Sequence, residues 1–139
     1  MRKKGQLPRI TELAASRITE KIRAGEYSTK LSTQQYLKHT ENTPQYNQYK
    51  QARKAKGQPP QSVLLITEKE AQELIIQKAG TGIVRSDKNG DILPRENITV
   101  DKIIGKTWFG GKLASTKKAR IFYGKNCSHI IPIGGMDYD

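Results

Sequence analysis

The sequence predicts an α+β domain in which helices precede a β-sheet. Apolar residues at helical spacing and helix-capping residues occur up to Gly80, whereas short β-like runs and turn dipeptides follow Gly82. Helices and strands that are segregated along a chain, rather than alternating, indicate the α+β class. The length of 139 residues fits one domain with a single modest core.

The first predicted helix covers residues 8–24. Pro8 suits the first turn of this helix, and Gly25 suits its end. The apolar residues recur every three or four positions, which is typical of an amphipathic helix with one face in a core. The positions expected to face inward are Ile10, Leu13, Ala14, Ile18 and Ile22.

Two more helices are predicted in the first half of the chain. Residues 27–46 are polar with little periodicity, but Thr43 and Pro44 fit the cap and first turn of a basic helix that ends near Gly57. Residues 62–66 fit a short strand. A capping box then opens the last helix, whose signals are Thr67 and Glu70 at its start, Ala71, Leu74, Ile75 and Ala79 facing inward, and Gly80 at its end.

The second half of the chain is predicted to form the sheet. The expected strands are residues 83–85 and 91–93 around an Asn89-Gly90 turn, residues 102–108, and an antiparallel pair formed by residues 119–124 and 127–133. Lys125 and Asn126 separate the last two runs, and asparagine tolerates the left-handed conformation that such a turn needs.

Trp108 and Cys127 are both expected in the core. Trp108 precedes a Gly110-Gly111 turn, where a core anchor is favoured over a surface for base stacking. Cys127 is the sole cysteine, so no internal disulfide can form. A small core residue is the favoured interpretation of Cys127; a thiol nucleophile that shares a strand face with His129 is the alternative.

The composition indicates a polyanionic partner. The chain has 25 Lys and Arg residues against 13 Asp and Glu residues, which gives a net charge of +12. Such an excess attracts nucleic acid, although charge alone does not distinguish a nonspecific binder from an enzyme. No apolar run approaches the length of a membrane span or of a signal peptide, so no membrane association is expected.

Two stretches of the sequence contain no acidic residue. Residues 42–67 contain Lys50, Arg53, Lys54 and Lys56, and residues 102–136 contain Lys102, Lys106, Lys112, Lys117, Lys118, Arg120 and Lys125. If the two stretches face each other, they form a positive cleft that suits a phosphate backbone. The alternative is two unrelated solvated surfaces.

The two histidines are the candidate catalytic residues. His39 precedes the first acid-free stretch, and His129 lies within the second. RNA cleavage without a metal needs a base for the 2′-hydroxyl proton, an acid for the leaving oxygen, and a cation for the developing charge; histidine fills either proton-transfer role near neutral pH. The alternative for each histidine is a surface or core residue without chemistry.

Metal-dependent chemistry is not expected. The histidine and cysteine spacing offers no zinc site, and the scattered carboxylates suggest no paired-carboxylate magnesium site. The glycine pairs lack the lysine and hydroxyl of a phosphate-binding loop. We therefore expect neither a metal nor an organic cofactor, which argues against a metal-dependent DNase.

Several motifs in a fixed order resemble those of one protein family, over residues 30–133. The motifs are Lys38-His39 with Thr43 and Tyr46, then Ala79-Gly80-Thr81-Gly82, then Ile104-Gly105, and finally residues 121–125 and 128–132, which read IFYGK and SHIIP. The chain resembles the type-50 polymorphic toxin domain, found at the ends of bacterial toxins and of some phage head-morphogenesis proteins.

The resemblance implies a fold, an activity and partners. The family is placed in a large group of small nucleases that includes barnase, endonucleases related to EndoU, tRNA-cutting colicins and RelE-type toxins. The resemblance therefore implies N-terminal helices packed on a four-stranded antiparallel sheet. It also implies metal-independent cleavage of RNA, with tRNA as one candidate substrate. It also implies a cognate immunity protein, which we expect to be acidic because it must cover a phosphate channel. Such domains are delivered to the target-cell cytoplasm as part of a larger toxin or phage protein.

The combined interpretation assigns roles to named residues. The expected catalytic residues are His39, His129, Lys38, Lys125, Ser128 and Tyr123, and the expected substrate-binding residues are Thr43, Tyr46, Arg53, Lys118 and Arg120. Residues 1–25 are interpreted as an N-terminal helix or linker, and residues 26–139 as the nuclease toxin domain. The competing hypothesis is a noncatalytic nucleic-acid-binding or phage-structural module in which the histidines are incidental.

Overall fold

A computed structural model describes the backbone of residues 6–134 and the side chains of residues 14–108 and 110–134. The helices are α1 (Gln6–Arg23), α2 (Thr33–Lys38), α3 (Pro44–Ala55) and α4 (Glu68–Lys78). The strands are β1 (Val63–Leu64), β2 (Arg95–Thr99), β3 (Gly105–Phe109), β4 (Lys112–Thr116), β5 (Lys118–Phe122) and β6 (His129–Ile133). The α+β class is confirmed. No helix in this part of the chain is long and apolar enough to cross a membrane.

Helix α1 packs on the same core as the sheet. Ala14, Ala15 and Ile18 belong to the buried cluster, and Ile18 is fully buried. Gly25 follows the helix with a φ of 77°, which agrees with the predicted stop. The predicted inward positions Ile10 and Leu13 lie outside the described side chains.

The predicted caps of the later helices are confirmed. The Thr43 hydroxyl accepts a hydrogen bond from the Tyr46 N–H at the start of α3, and Thr67 and Glu70 form the capping box of α4. Ala71 and Ile75 are fully buried. The short helix α2 was missed because its six residues include no apolar repeat, and its cap is Ser32.

The central feature of the sheet region is one β-hairpin that is bent in the middle. Strands β2 and β3 form its first arm, and strands β4 and β5 form its second arm. Residues 100–104 of the first arm lie opposite the single residue Lys117 of the second arm, so the first arm has four additional residues. The Val100 N–H donates to the Lys117 carbonyl and the Ile104 N–H donates to the Thr116 carbonyl, so these two bonds close the bend on both sides. The hairpin therefore contributes its two halves to two different sheets.

Each half of the hairpin gains one outer strand. Strand β1 pairs with β3 to give the order β1-β3-β4, and β6 pairs with β5 to give the order β2-β5-β6. All pairs are antiparallel. The prediction of one four-stranded sheet is therefore corrected: the described residues form two three-stranded sheets, because the bend at Lys117 interrupts the pairing.

The two sheets approach closely where β3 passes β6. A Cβ atom at Gly105 would meet the Pro132 ring and the Val63 carbonyl, so only glycine fits between these strands. The Thr116 hydroxyl donates a hydrogen bond of 2.7 Å to the Ile133 carbonyl across the same junction.

Strands β2 and β4 were not predicted from the sequence, and their burial explains why. Strand β4 is exposed at its first four positions, so it has no apolar face. Strand β2 alternates as a half-buried strand should, but one of its inward residues is Glu96. The predicted strands at residues 83–85 and 91–93 are reduced to isolated bridges, Ile83 with Asn97 and Ser86 with Ile92.

Two core assignments made from the sequence are wrong. Trp108 is 37% exposed, because it lies beside the Gly110-Gly111 turn that closes the β3–β4 hairpin. Cys127 is also exposed, because it lies in the turn before β6 begins at His129.

A buried carboxylate joins the end of α4 to the sheet. Glu96 is fully buried and accepts hydrogen bonds from the Gly80 N–H (2.9 Å), the Gly82 N–H (2.6 Å) and the Tyr123 hydroxyl (2.7 Å). Tyr123 also stacks on Tyr27, with a centroid distance of 5.1 Å. Because buried backbone donors need partners, Glu96 holds the chain after α4 against β2.

The Glu96→Gln substitution is expected to lower the free energy of unfolding by about 2 kcal/mol or more. A glutamine has one acceptor oxygen instead of two. Its NH₂ group would therefore face a buried donor of the protein, which would lose its hydrogen-bond partner. Urea denaturation at neutral pH measures the loss. Glu26→Gln is the matched control, because that side chain is exposed and pairs with Lys21 at the surface. A surface pair contributes about 1 kcal/mol at most. Equal losses for the two variants would contradict the proposed role of Glu96.

Candidate active site

The two histidines line one cleft. The cleft has a volume of about 370 Å³ and lies between the α2–α3 side of the molecule and strands β3, β5 and β6. Among its lining residues are His39, Arg53, Arg120 and His129. The cleft therefore contains both candidate proton-transfer groups and two cations.

His39 is fixed at the end of α2. Its ring is 6% exposed, and its Nδ1 lies 2.9 Å from the Ser62 carbonyl oxygen. The His39 carbonyl accepts a hydrogen bond of 2.8 Å from the Leu64 N–H, so the chain around β1 holds both the backbone and the ring. A carbonyl oxygen can only accept, so Nδ1 carries the proton and Nε2 carries the lone pair in the neutral ring.

Burial lowers the pKa of His39 to about 4. The hydrogen bond to Ser62 opposes this shift, whereas the charges of His129, Arg53 and Lys38 add to it. His39 is therefore neutral at pH 7 and is available as a base.

His129 begins β6 and stands directly opposite Phe122 on β5. The two rings stack with a centroid distance of 4.8 Å and an interplanar angle of 14°. Burial is the main cause that lowers the pKa of His129, and the charge of Lys38 adds to it. Lys38 thus acts electrostatically on both histidines.

Residues of α3 and of the sheet supply the cations of the cleft. Arg53 donates from Nε to the Pro59 carbonyl (2.6 Å), and Arg120 donates from Nε to the Asn97 side-chain oxygen (2.7 Å). On β5 and β6 the side chains alternate, so Arg120, Phe122 and His129 share the face opposite the core residues. The alternation of side chains along β5 and β6 therefore places these three residues on the side of the cleft.

Thr43 and Tyr46 lie behind the cleft, and Gln61 connects Tyr46 to the end of α2. The Thr43 hydroxyl donates to the Leu37 and Thr40 carbonyls, each at 2.9 Å, besides capping α3. Tyr46 is buried, and its carbonyl accepts from the Gln61 side chain, which also donates to the Lys38 carbonyl. Neither Thr43 nor Tyr46 lines the cleft, so a direct contact with substrate remains a prediction.

Ser128 and Tyr123 have their hydroxyls engaged inside the protein. The Ser128 hydroxyl donates to the Ser28 carbonyl (2.5 Å) and accepts from the Gly124 N–H. The Tyr123 hydroxyl donates to Glu96, and burial together with that carboxylate raises its pKa. Both residues stand where they hold neighbouring segments in place, and their predicted catalytic roles stay predictions.

Lys118 and Lys125 do not line the cleft. Lys125 is exposed in the β5–β6 turn, and Lys118 lies at the far end of β5 from Phe122. Their predicted contacts with substrate also stay predictions.

Several residues that line the cleft were not singled out as site residues in the sequence. They are Gln35, Tyr49, Pro59, Pro60, Gln61, Ser62, Thr107, Trp108 and Phe122, with residues 131–133 of β6. Tyr49 has a sequence signal, since it lies four positions before Arg53 on a helix. Phe122 has one as well, since the predicted hairpin with its Lys125-Asn126 turn places it opposite His129. Ser62 has none, because its contact with His39 joins segments that are far apart in sequence.

A larger cavity, of about 540 Å³, lies elsewhere, between α1, the end of α4 and β2. Lys78 is the sole titratable residue among the described residues that line it. Without a base or a cluster of cations, this cavity has less capacity for chemistry than the cleft with the histidines.

Comparison with known proteins gives one family match. The family model described as bacterial toxin 50 matches residues 31–132, well over half of the chain. No curated protein and no solved structure matches the chain. The matched segment contains both histidines, Lys38, Arg53 and Arg120.

The lowered pKa of His39 predicts a pH-dependent stability. His39 takes up a proton near pH 6.5 in the unfolded chain but only at about pH 4 in the folded chain. The contribution of neutral His39 to the free energy of unfolding is therefore fully present above pH 6.5 and is lost as the pH falls towards 4. A shift of this size corresponds to about 3 kcal/mol. Urea denaturation of the wild type and His39→Gln at several pH values measures the difference, and parallel pH profiles would contradict it.

Proposed function

The chain belongs to the bacterial toxin 50 family, and we propose that it is a metal-independent endoribonuclease in which His39 and His129 form an acid–base pair. The observation that supports the proposal is the presence of both histidines and of Arg53 and Arg120 in one cleft. The two arginines would also suit a noncatalytic phosphate-binding module, but a pair of groups able to transfer protons is particular to catalysis. RNA suits this set of groups because its 2′-hydroxyl supplies the nucleophile.

The hydrogen bond at Nδ1 of His39 favours the base role for this residue, which leaves the acid role to His129. His39 is neutral with the lone pair on Nε2, so it takes the proton from the 2′-hydroxyl. The 2′-oxygen then forms a bond to phosphorus, and the bond from phosphorus to the 5′-oxygen breaks. Protonated His129 gives its proton to that leaving oxygen. The products are a 2′,3′-cyclic phosphate and a 5′-hydroxyl, and no further reactant is needed.

The cations of the cleft stabilise the negative charge of the transition state. Arg53 and Arg120 line the cleft, and the charge of Lys38 is felt by both histidines. Preorganised donors of this kind stabilise a phosphorane more than the ground state. A phosphate bound nearby also favours the protonated form of His129, which the acid role requires.

The toxin family extends the proposal to partners. A cell that makes such a toxin needs a cognate immunity protein, and an acidic surface on that protein would cover the positive cleft. We also propose that the domain acts in the cytoplasm of a target cell, where RNA is available, after delivery as part of a larger toxin or phage protein.

Cleavage of total RNA in EDTA tests the activity. The wild type is expected to cut, and His39→Ala and His129→Ala are each expected to lose at least about 100-fold in rate, the usual contribution of general acid–base catalysis. Lys54→Gln is the matched control, since it removes one charge of α3 outside the cleft. Intact RNA together with tight, salt-sensitive binding would favour the noncatalytic nucleic-acid-binding function instead.

The pH dependence of kcat/KM tests the roles of the histidines. Activity should fall as the pH drops through about 4, where His39 takes a proton. It should also fall as the pH rises through the pKa of His129, which lies below 6.5. The optimum is therefore expected below the ordinary pKa of histidine. An acid limb near pH 6.5 would contradict the assignment of His39 as the base.

A further inference from the structure

The ring of Tyr49 contacts two cations and one catalytic histidine. The Lys38 Nζ lies 5.4 Å from the ring centroid, and the Arg53 guanidinium carbon lies 5.6 Å from it. The His39 ring makes an edge contact with a centroid distance of 5.9 Å. Lys38 comes from the end of α2 and Arg53 from α3, so the ring brings together charges from two elements.

These two cations have no carboxylate partner among the residues that the structure describes. Ion pairs in the described part of the chain, such as Lys21 with Glu26 and Lys102 with Glu70, involve other residues. Lys21 also lies over a tyrosine ring, Tyr27, but its charge is balanced by Glu26. Two unbalanced positive charges on one ring repel each other, and the attraction of the ring offsets this only in part. A bound anion would offset these positive charges.

The orientation of Arg53 fits an anion with several oxygens. Its Nε donates to the Pro59 carbonyl, and its Nη1 lies 3.5 Å from the Tyr49 hydroxyl. The short hydrogen bond to Pro59 fixes the plane of the guanidinium, and the long contact with the Tyr49 hydroxyl adds little to it. The other N–H groups of Arg53 meet no carboxylate in the described part of the chain. A fixed guanidinium fork matches the oxygens of a phosphate group.

We infer that Tyr49 holds Lys38 and Arg53 together as a binding subsite for a phosphate group of the RNA backbone, beside His39. The identity of the natural ligand as RNA rests on the proposed function, whereas the subsite itself does not. Tyr49 is a positioning residue here, because it acts through the two cations.

Inorganic phosphate is the probe for this subsite. A bound anion stabilises the imidazolium form, so saturating phosphate is expected to raise the pKa of His39 above about 4 in an NMR titration of the full chain. The charged groups that act on His39 are Lys38 at its own helix, Arg53 on α3 and His129 on β6, with the Ser62 carbonyl at Nδ1. A phosphate that leaves this pKa unchanged in the wild type would overturn the proposal.

Variants of Tyr49 separate positioning from simple packing. Tyr49→Phe keeps the ring and should bind phosphate as the wild type does, whereas Tyr49→Leu should bind it roughly tenfold more weakly. Arg53→Gln, which retains the ring, should show the same loss if the cations bind the anion. Lys50→Gln is the control, because Lys50 lies over the Tyr46 ring of the same helix. Equal phosphate affinity in Tyr49→Leu and the wild type would overturn the inference.

RNA cleavage by the same proteins distinguishes the two proposals. Phosphate binding that depends on Tyr49, without any RNA cleavage by the wild type, would contradict the ribonuclease function and support the subsite. If the wild type cuts RNA but phosphate does not change the pKa of His39, the result would contradict the subsite and support the ribonuclease function.

Discussion

The hydrogen bonds of Ser128 are the constraint on which the geometry of the cleft depends. Its N–H donates to the Lys30 carbonyl and its carbonyl accepts from the Ser32 N–H, each at 2.7 Å. Its buried hydroxyl donates to the Ser28 carbonyl. These bonds fasten residues 28–32 to the residue directly before His129. Helix α2 follows immediately, and His39 is the residue that caps its C-terminal end. One buried serine therefore sets the position of one histidine relative to the other.

The site concentrates features that weaken a fold. Two histidines are held with lowered pKa values, and Lys38 and Arg53 are held near each other without a carboxylate partner in the described residues. Elsewhere the same chain balances Lys21 with Glu26 and satisfies the buried Glu96 with three donors. This contrast is typical of functional sites, where binding of a ligand, rather than the folded chain, completes the electrostatic balance.

The bent hairpin explains how a small domain provides both a core and a cleft. On β5 and β6, Ala119, Ile121 and Ile130 face the core, and Arg120 and His129 face the cleft. The bend at Lys117 turns the other half of the hairpin, so that Thr107 and Trp108 reach the same cleft from β3. A flat four-stranded sheet would leave that side of the cleft open.

The sequence by itself determined the local structure and the candidate chemistry. Capping residues placed α3 and α4, the hairpin of β5 and β6 followed from its alternating pattern, and His39 and His129 were the two residues able to exchange protons near neutral pH. These features depend on near neighbours in the chain. The tertiary structure decided the rest: the exposure of Trp108, the exposed strand β4, the buried Glu96 and the meeting of Tyr49 with Lys38 and His39. Those outcomes depend on pairing between segments that are far apart in sequence, and periodicity within a segment carries no information about its distant partner.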